Sequence, residues 1–320
     1  MEMTDVSEEK TMSITQLLHI KYPIMQGAMA QIAKAPLVAA VSNAGGLGII
    51  ASGGMSAEEL RAEIRKTKEL TDKPFGVNLM LMMTNIAELT TVIIEEDVKV
   101  VTTGAGTPKT YMPIWKEAGI IVIPVVPSVM IARKMEQLGA DAVVAEGTEA
   151  GGHVGETTTM ALLPQVVDAV SIPVIAAGGI GDGRGIAAAF ALGAQGVQIG
   201  TRFLATDECP VHENFKLACL KAKDRDTVVT GRRNGAPVRS IKNKMIKEYQ
   251  RLEDENVDRD VLEELTLGSL RKAVQEGDTE NGSVMAGQIT GLINEIKPVD
   301  ALIQEMMAQA TTTASQLAIK

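Results

Sequence analysis

The chain has 320 residues, with 31 basic against 40 acidic side chains for a formal charge of −9, and it is 45% hydrophobic but only 2% aromatic. That is an ordinary globular composition, long enough to bury a large core. A net acidic chain poor in stacking rings excludes nucleic acid as a partner and argues equally against a membrane surface.

The polar first residues, 1–12, read as a disordered lead-in, neither a signal nor a transit peptide. Short apolar runs then recur at intervals of roughly 25 residues, as in chained βα units. They are Pro23–Met29, Leu47–Ala51, Phe75–Leu81, Val98–Thr103, Ile120–Val126, Ala142–Ala145, Val174–Ala177 and Gly196–Ile199. All are continuous rather than alternating, as strands buried on both faces should be. Amphipathic patterns separate them. Ser56 with Glu59 forms a capping box for one helix, and Ser128 opens another that Gly139 ends. The longest apolar stretch, Gly119–Val126, is too short to span a bilayer.

Eight parallel strands with intervening helices predict an α/β fold, a (β/α)8 TIM barrel, over residues 13–206. An open doubly wound sheet is the alternative. After residue 206 the text turns charged and helical, so residues 207–281 read as a helical insertion or lid. Residues 282–320 then hold a small-residue loop, Gly282–Gln288, and a closing helix over 289–309. Cys209 and Cys219 form neither a CxxC pair nor a Cys/His cluster, so no zinc site or disulfide framework is expected, and a reducing cytoplasm fits.

Function in such barrels sits at the C-terminal ends of the strands. The strongest pattern there is Ala176-Ala-Gly-Gly-Ile followed by Gln198-Ile-Gly-Thr-Arg. Backbone amides of Gly178, Gly179, Gly200 and Thr201 can converge on one phosphate, aided by a helix N-terminus. The bland reading is that these glycines only permit tight turns. Gly183-Arg-Gly-Ile-Ala-Ala188 also matches a dinucleotide fingerprint, but the next strand ends in Gly200-Thr-Arg202 without the acidic residue a ribose needs, and that reading is rejected. His153 lies among Gly151, Gly152 and Gly155 at the functional end and is the candidate proton or hydrogen-bond donor; His19 reads as structural and His212 as a surface residue. Met80, Met82 and Met83 read first as core filling and second as a flexible lining for an acyl chain. A run of Arg232, Arg233, Arg239, Lys242, Lys244 and Lys247 is either a solvated face or a landing site for an acidic partner or a cofactor phosphate.

Taken together, Tyr22-Pro-Ile-Met-Gln-Gly-Ala-Met, Asn43-Ala-Gly-Gly-Leu-Gly, Phe75-Gly-Val-Asn78, Glu149-Ala-Gly-Gly-His153 and the cradle resemble the nitronate monooxygenase-like flavoproteins. Within that group the chain is most similar to the bacterial FMN-dependent enoyl-acyl-carrier-protein reductases of type II, on Val100-Val-Thr-Thr-Gly-Ala-Gly, Ile121-Val-Ile-Pro-Val-Val-Pro-Ser and Asn281-Gly-Ser-Val-Met-Ala-Gly-Gln. The resemblance implies FMN with its phosphate on Gly178, Gly179, Gly200 and Thr201. It implies the flavin ring near Gly27, Ala28 and Met29, with Asn78 and Glu146 on its polar edge or ribityl chain. Met285 would fold back over the site and His153 would face the substrate. It further implies NADH or NADPH as co-substrate, an enoyl thioester on acyl carrier protein as substrate, a homodimer, and in some members a monovalent cation. Three rivals stand: a nitronate monooxygenase with His153 as base, a flavin-free barrel like the inosine-phosphate dehydrogenases, and a non-catalytic phosphate binder. The second needs a nucleophilic cysteine after strand six, and Glu146–Thr159 contains none.

Overall fold

A computed structural model describes residues 12–317. The lead-in therefore lies, apart from Met12, outside the described residues. Six strands come first: β1 (Ile24–Gln26), β2 (Gly48–Ala51), β3 (Phe75–Met80), β4 (Val100–Gly104), β5 (Ile121–Val126) and β6 (Val143–Glu146). A two-residue strand β7 (Gly152–His153) stands outside the main sheet, which β8 (Val174–Ala177) and β9 (Gly196–Ile199) complete. The eight main strands are parallel, in the order β1-β9-β8-β6-β5-β4-β3-β2. This is a TIM barrel, and each predicted run became one of its strands.

The residues explain the layers. Met25, Ile49, Val100, Ile123, Val144 and Ile175 form one buried cluster inside the barrel. Their chain neighbours Ile24, Ile50, Val101, Val122, Val143 and Val174 belong to a second, between strands and helices. The period of two is present, but both faces are apolar, so the sequence shows no alternation. The helix Ile14–Leu18, opened by a Ser13–Gln16 capping box, adds Ile14 and Leu18 to the interior cluster. Ile14 meets Gly196, the first residue of β9, so this helix plugs the N-terminal end of the barrel and leaves the other end free for a site.

Closure between β1 and β2 is thin, resting on the Met25–Leu47 bridge. The fully buried Gln26 completes it: its Oε1 accepts from the Ile49 N–H at 3.1 Å and its Nε2 donates to the Ile49 carbonyl at 3.3 Å. A side-chain amide thus replaces a missing rung of backbone ladder. Gln26→Leu strands both Ile49 groups, at roughly 1–3 kcal/mol each. We expect a loss of about 2–4 kcal/mol in denaturant unfolding; an unchanged midpoint would show that the seam closes without the side chain.

The outer helices begin where expected. Ser56 and Glu59 form the capping box of Ala57–Leu70, and Ser128 caps Val129–Gln137, with Gly139 at φ 96° just past its end. The eighth outer position is filled late in the chain, by Val299–Gln316, which packs against Gly183–Ala191. A Cβ on Gly183 would lie 2.3 Å from the Met306 carbonyl oxygen, so this glycine serves helix contact rather than dinucleotide binding. The closing helix thus begins ten residues later than the sequence suggested. Gln288–Leu292 is a 3₁₀ turn, and Pro298 delays helix entry to Val299.

Between the short helix Thr201–Leu204 and Val299 lies the insertion, its ends joined by a Thr206–Lys297 bridge. The expectation of a purely helical insertion needs correction. Helices Glu213–Lys221, Lys244–Asp254 and Arg259–Thr266 flank a hairpin of β10 (Thr227–Thr230) and β11 (Val238–Ile241). These strands are four residues long and partly polar, yet rich in the β-branched residues that favour pairing. Among the described residues no helix is long and apolar enough to cross a membrane.

Candidate active site

The C-terminal ends of the barrel strands surround a cavity of about 530 Å³, within the range of cofactor sites. Every residue assigned to the flavin or to catalysis lines it: Gly27, Ala28 and Met29 beyond β1, Asn78 on β3, Glu146 at the end of β6, His153 on β7, Gly178 and Gly179 beyond β8, Gly200 and Thr201 beyond β9, and Met285 from the insertion.

The cradle is built from backbone. Gly178 and Gly179 have φ of 85° and 76°, where side chains are strained. A Cβ on Gly178 would also stand 2.8 Å from the Gly147 carbonyl oxygen. The Gly178, Gly179, Gly200 and Thr201 amides donate to no carbonyl among the described residues, and neither Lys nor Arg lines the cavity. An anion here would be met by N–H groups and a hydroxyl. The helix that begins at the cradle is Thr201–Leu204, with Gly200 as its N-cap, whereas the N-terminus of Gly183–Ala191 is taken up within the protein. The Asp182 carboxylate accepts from the Arg184 amide at 2.9 Å, and Gln309 Oε1 accepts from the Gly183 amide at 2.8 Å.

Two residues that the sequence reading passed over hold this cradle. Both Glu149 carboxylate oxygens accept from the Thr159 amide at 2.9 Å, and the Thr159 hydroxyl lies 2.9 Å from the Gly178 carbonyl oxygen. An acidic residue inside a glycine run was the available signal for Glu149. Thr159 carried none, being one of three consecutive threonines.

The strap of residues 282–288 closes over this end. The Gly287 amide donates to Thr201 Oγ1 and the Gln288 amide to the Glu149 carbonyl, both at 2.9 Å. Met285 Sδ comes within 3.8 Å of the position a Gly152 Cβ would take.

His153 is held by strand pairing. β7 joins β11 antiparallel, with His153 opposite Val238 and Gly152 opposite Arg239. The hairpin of the insertion therefore fixes the histidine loop. The ring faces the cavity and is reached by water, yet the surrounding walls displace enough solvent to lower its pKa below the ordinary imidazole value. His19 is exposed at a helix end, and His212 caps Glu213–Lys221 by accepting from the Asn214 amide at 3.1 Å.

The Glu146 carboxyl makes no hydrogen bond among the described residues, and burial pushes its pKa up to about 7. Asn78 Nδ2 donates to Thr102 Oγ1 at 2.9 Å, leaving its amide oxygen without a partner among the described residues. These are unspent polar groups at the rim of a mostly apolar cavity, as a heteroaromatic ring with polar edges requires. Because the folded pKa of Glu146 exceeds its unfolded value of 4.5, the native state holds the extra proton between about pH 4.5 and 7, and stability falls as pH rises through that window. Glu146→Gln should therefore raise the melting temperature of the flavin-free protein at about pH 8 and leave it near wild type at about pH 4. An equal change at both pH values would show that the carboxyl is solvated.

The cysteines stand apart from this chemistry. Cys209 and Cys219 are free and buried, and burial pushes their thiols up to about 11 and about 12.

The geometry agrees with what known proteins show. The profile of the family described as nitronate monooxygenase matches residues 11–90 and 86–309. The chain belongs to the nitronate monooxygenase family. Members of this family are FMN-dependent flavoprotein oxidoreductases. The structure of FabK from Thermotoga maritima is 52% identical, with a TM-score of 0.93 over 95% of this chain and 97% of that one. A nitroalkane oxidase from Streptomyces ansochromogenes is 30% identical, with a TM-score of 0.85 over 93% of this chain and 98% of the other. A Mycobacterium tuberculosis relative, (3aS,4S,5R,7aS)-5-hydroxy-7a-methyl-1-oxo-octahydro-1H-indene-4-carboxyl-CoA dehydrogenase, is 37% identical over 95% of this chain and 98% of its own length.

Proposed function

We propose that this protein is an FMN-dependent enoyl-thioester reductase, taking electrons from NADH or NADPH and saturating trans-2-enoyl groups borne on acyl carrier protein. The observation that carries the reading is the likeness to FabK, an enoyl-acyl-carrier-protein reductase II, at 52% identity over nearly the whole chain, against 30% for the nitroalkane oxidase. The cavity suits it. Met80, Met82, Val125 and Pro127 give it an apolar wall, and Met82 is 70% exposed at its edge, where an acyl chain could leave.

The residues fit FMN on two grounds: the Gly178, Gly179, Gly200 and Thr201 amides that donate to no carbonyl among the described residues, and the unpartnered polar groups of Glu146 and Asn78. Gly178, Gly179, Gly200 and Thr201 would hold the phosphate. Gly27, Ala28 and Met29 would support the ring, with Asn78 and Glu146 at its polar edge and Met285 above. Bound there, FMN supplies the passage of electrons from the nucleotide to the enoyl group. The chain supplies placement and charge control. As the β-carbon is reduced, negative charge gathers on the thioester oxygen, and a fixed donor there lowers the barrier. His153, largely neutral at pH 7 because its pKa is lowered, carries one ring N–H to donate to that oxygen. Glu149 and Thr159 keep the cradle in shape, and the strap tethers Thr201 through the Gly287 amide.

A neutral imidazole is also a competent base, so nitronate oxidation is the second reading, favoured by the family profile and the nitroalkane oxidase structure. Assaying the FMN-loaded protein with crotonyl-coenzyme A plus NAD(P)H, and separately with an alkyl nitronate in air, tests both. Thioester-dependent nucleotide oxidation supports the reductase; oxygen uptake with nitronate alone overturns it.

A further inference from the structure

The basic run divides in the folded protein. Lys242, Lys244 and Lys247 are exposed, and Arg233 turns to the Glu253 carbonyl at 2.9 Å. Arg232 and Arg239 instead converge on Thr148, in the loop that leads to His153. Arg239 is 6% exposed, and its Nε and Nη2 donate to the Thr148 carbonyl at 3.1 and 2.9 Å, its Nη1 to Thr227 Oγ1 at 3.3 Å. Arg232 Nη2 donates to Thr148 Oγ1 at 3.1 Å and to the Gly155 carbonyl at 3.5 Å, and Gly155 lines the cavity. Two guanidinium groups thus share one loop residue, the chain neighbour of Glu149 in the cavity wall.

Their countercharge is meagre. Among the described residues Arg239 forms no ion pair, and the nearby Glu149 carboxylate, hydrogen-bonded to Thr159, offsets its charge only from beyond contact. Arg232 pairs only with Glu156, whose side chain is 78% exposed and free to swing away. Burying a cation beside another cation without a paired anion is costly. An arriving anion would relieve that cost, and the arginine fork matches phosphate oxygens.

We propose that Arg232, set against a loop that the buried Arg239 fixes from within, forms a phosphate-binding rim beside the cavity at Gly155, receiving the phosphate or pyrophosphate ester of a ligand whose reactive end reaches His153. Two ligands of the proposed reaction carry that chemistry: the pantetheine arm of the thioester and the nicotinamide dinucleotide. Their identity rests on the enoyl-reductase reading, whereas the cationic rim does not. Arg232 is partly exposed, so Arg232→Gln and Arg232→Glu should fold and retain flavin.

Calorimetric titration of the FMN-loaded enzyme with coenzyme A, NADH and NADPH tests the proposal. Arg232→Gln should weaken the ligand that uses the rim by about tenfold, and Arg232→Glu by more. A loss confined to coenzyme A assigns the rim to the thioester arm. A loss shared by both nucleotides assigns it to their pyrophosphate, and a loss for NADPH alone to the 2′-phosphate. Wild-type affinity for all three in both variants, or no binding of any of them by the wild type, would overturn it. An enzyme that binds nucleotide through Arg232 yet leaves crotonyl-coenzyme A unreduced would refute the reductase reading and keep the rim.

Discussion

His153→Ala should lower thioester-dependent turnover by about a hundredfold while FMN remains bound. The size follows from what the ring does in the proposed reaction. It donates one hydrogen bond to an oxygen whose charge grows in the transition state, and removal of such a donor typically costs about two to three orders of magnitude in kcat. The loss should fall on kcat more than on KM, because the ground-state oxygen is a weaker acceptor. The loop should survive the change, since β7 is held by backbone pairing to β11 and not by the imidazole. His153→Gln, which keeps an N–H donor, should recover part of the activity. Full turnover in the alanine variant with flavin in place would remove His153 from the reaction.

Gly178→Ala should abolish tight FMN binding, with a loss of about a hundredfold or more in affinity. Two costs add here. An L-residue at φ 85° is strained by about 1–2 kcal/mol, and the new Cβ would stand 2.8 Å from the Gly147 oxygen and 3.2 Å from the Ala150 nitrogen, both backbone atoms that cannot turn aside. Relief requires moving the cradle or the loop that leads to His153, and either spoils the convergence of amides. Gly119→Ala is the control. Its φ of 70° carries similar strain, but nothing lies within 4 Å of the new Cβ and Gly119 is remote from the cavity lining. That variant should lose stability and keep FMN affinity. Flavin fluorescence titration of the two measures the difference; equal effects would mean that strain, not cradle geometry, governs binding.

The barrel was legible because all eight strands are buried on both faces, which writes each as a continuous apolar run with βα spacing. That Gly178, Gly179, Gly200 and Thr201 meet at one cavity was legible because close backbone approach demands glycine, and that His153 joins them because a histidine in a glycine loop stands out. The hairpin β10–β11 was not. Thr227–Thr230 and Val238–Ile241 face partly to solvent, and their pairing with β7 joins residues far apart in the chain. Thr159 was hidden for a related reason: its role depends on reaching the Gly178 carbonyl from the far side of a loop. The basic run left two readings open because contiguity hides how it divides: Arg239 turns inward on a strand while Lys242 and Lys244 stay outside. Gly183 and Gly185 show why the fingerprint was rightly rejected: their spacing serves packing against Ala310 and Ile180.

The central claim is that reduced flavin in this cavity passes its electrons to an enoyl thioester. It is tested most directly by reducing the FMN-loaded protein without oxygen, removing excess nucleotide, and adding crotonyl-coenzyme A while following the flavin's visible absorbance. Rapid return of the oxidised flavin spectrum with stoichiometric butyryl-coenzyme A is the result this account predicts. A flavin that stays reduced until air or another oxidant is admitted would contradict it.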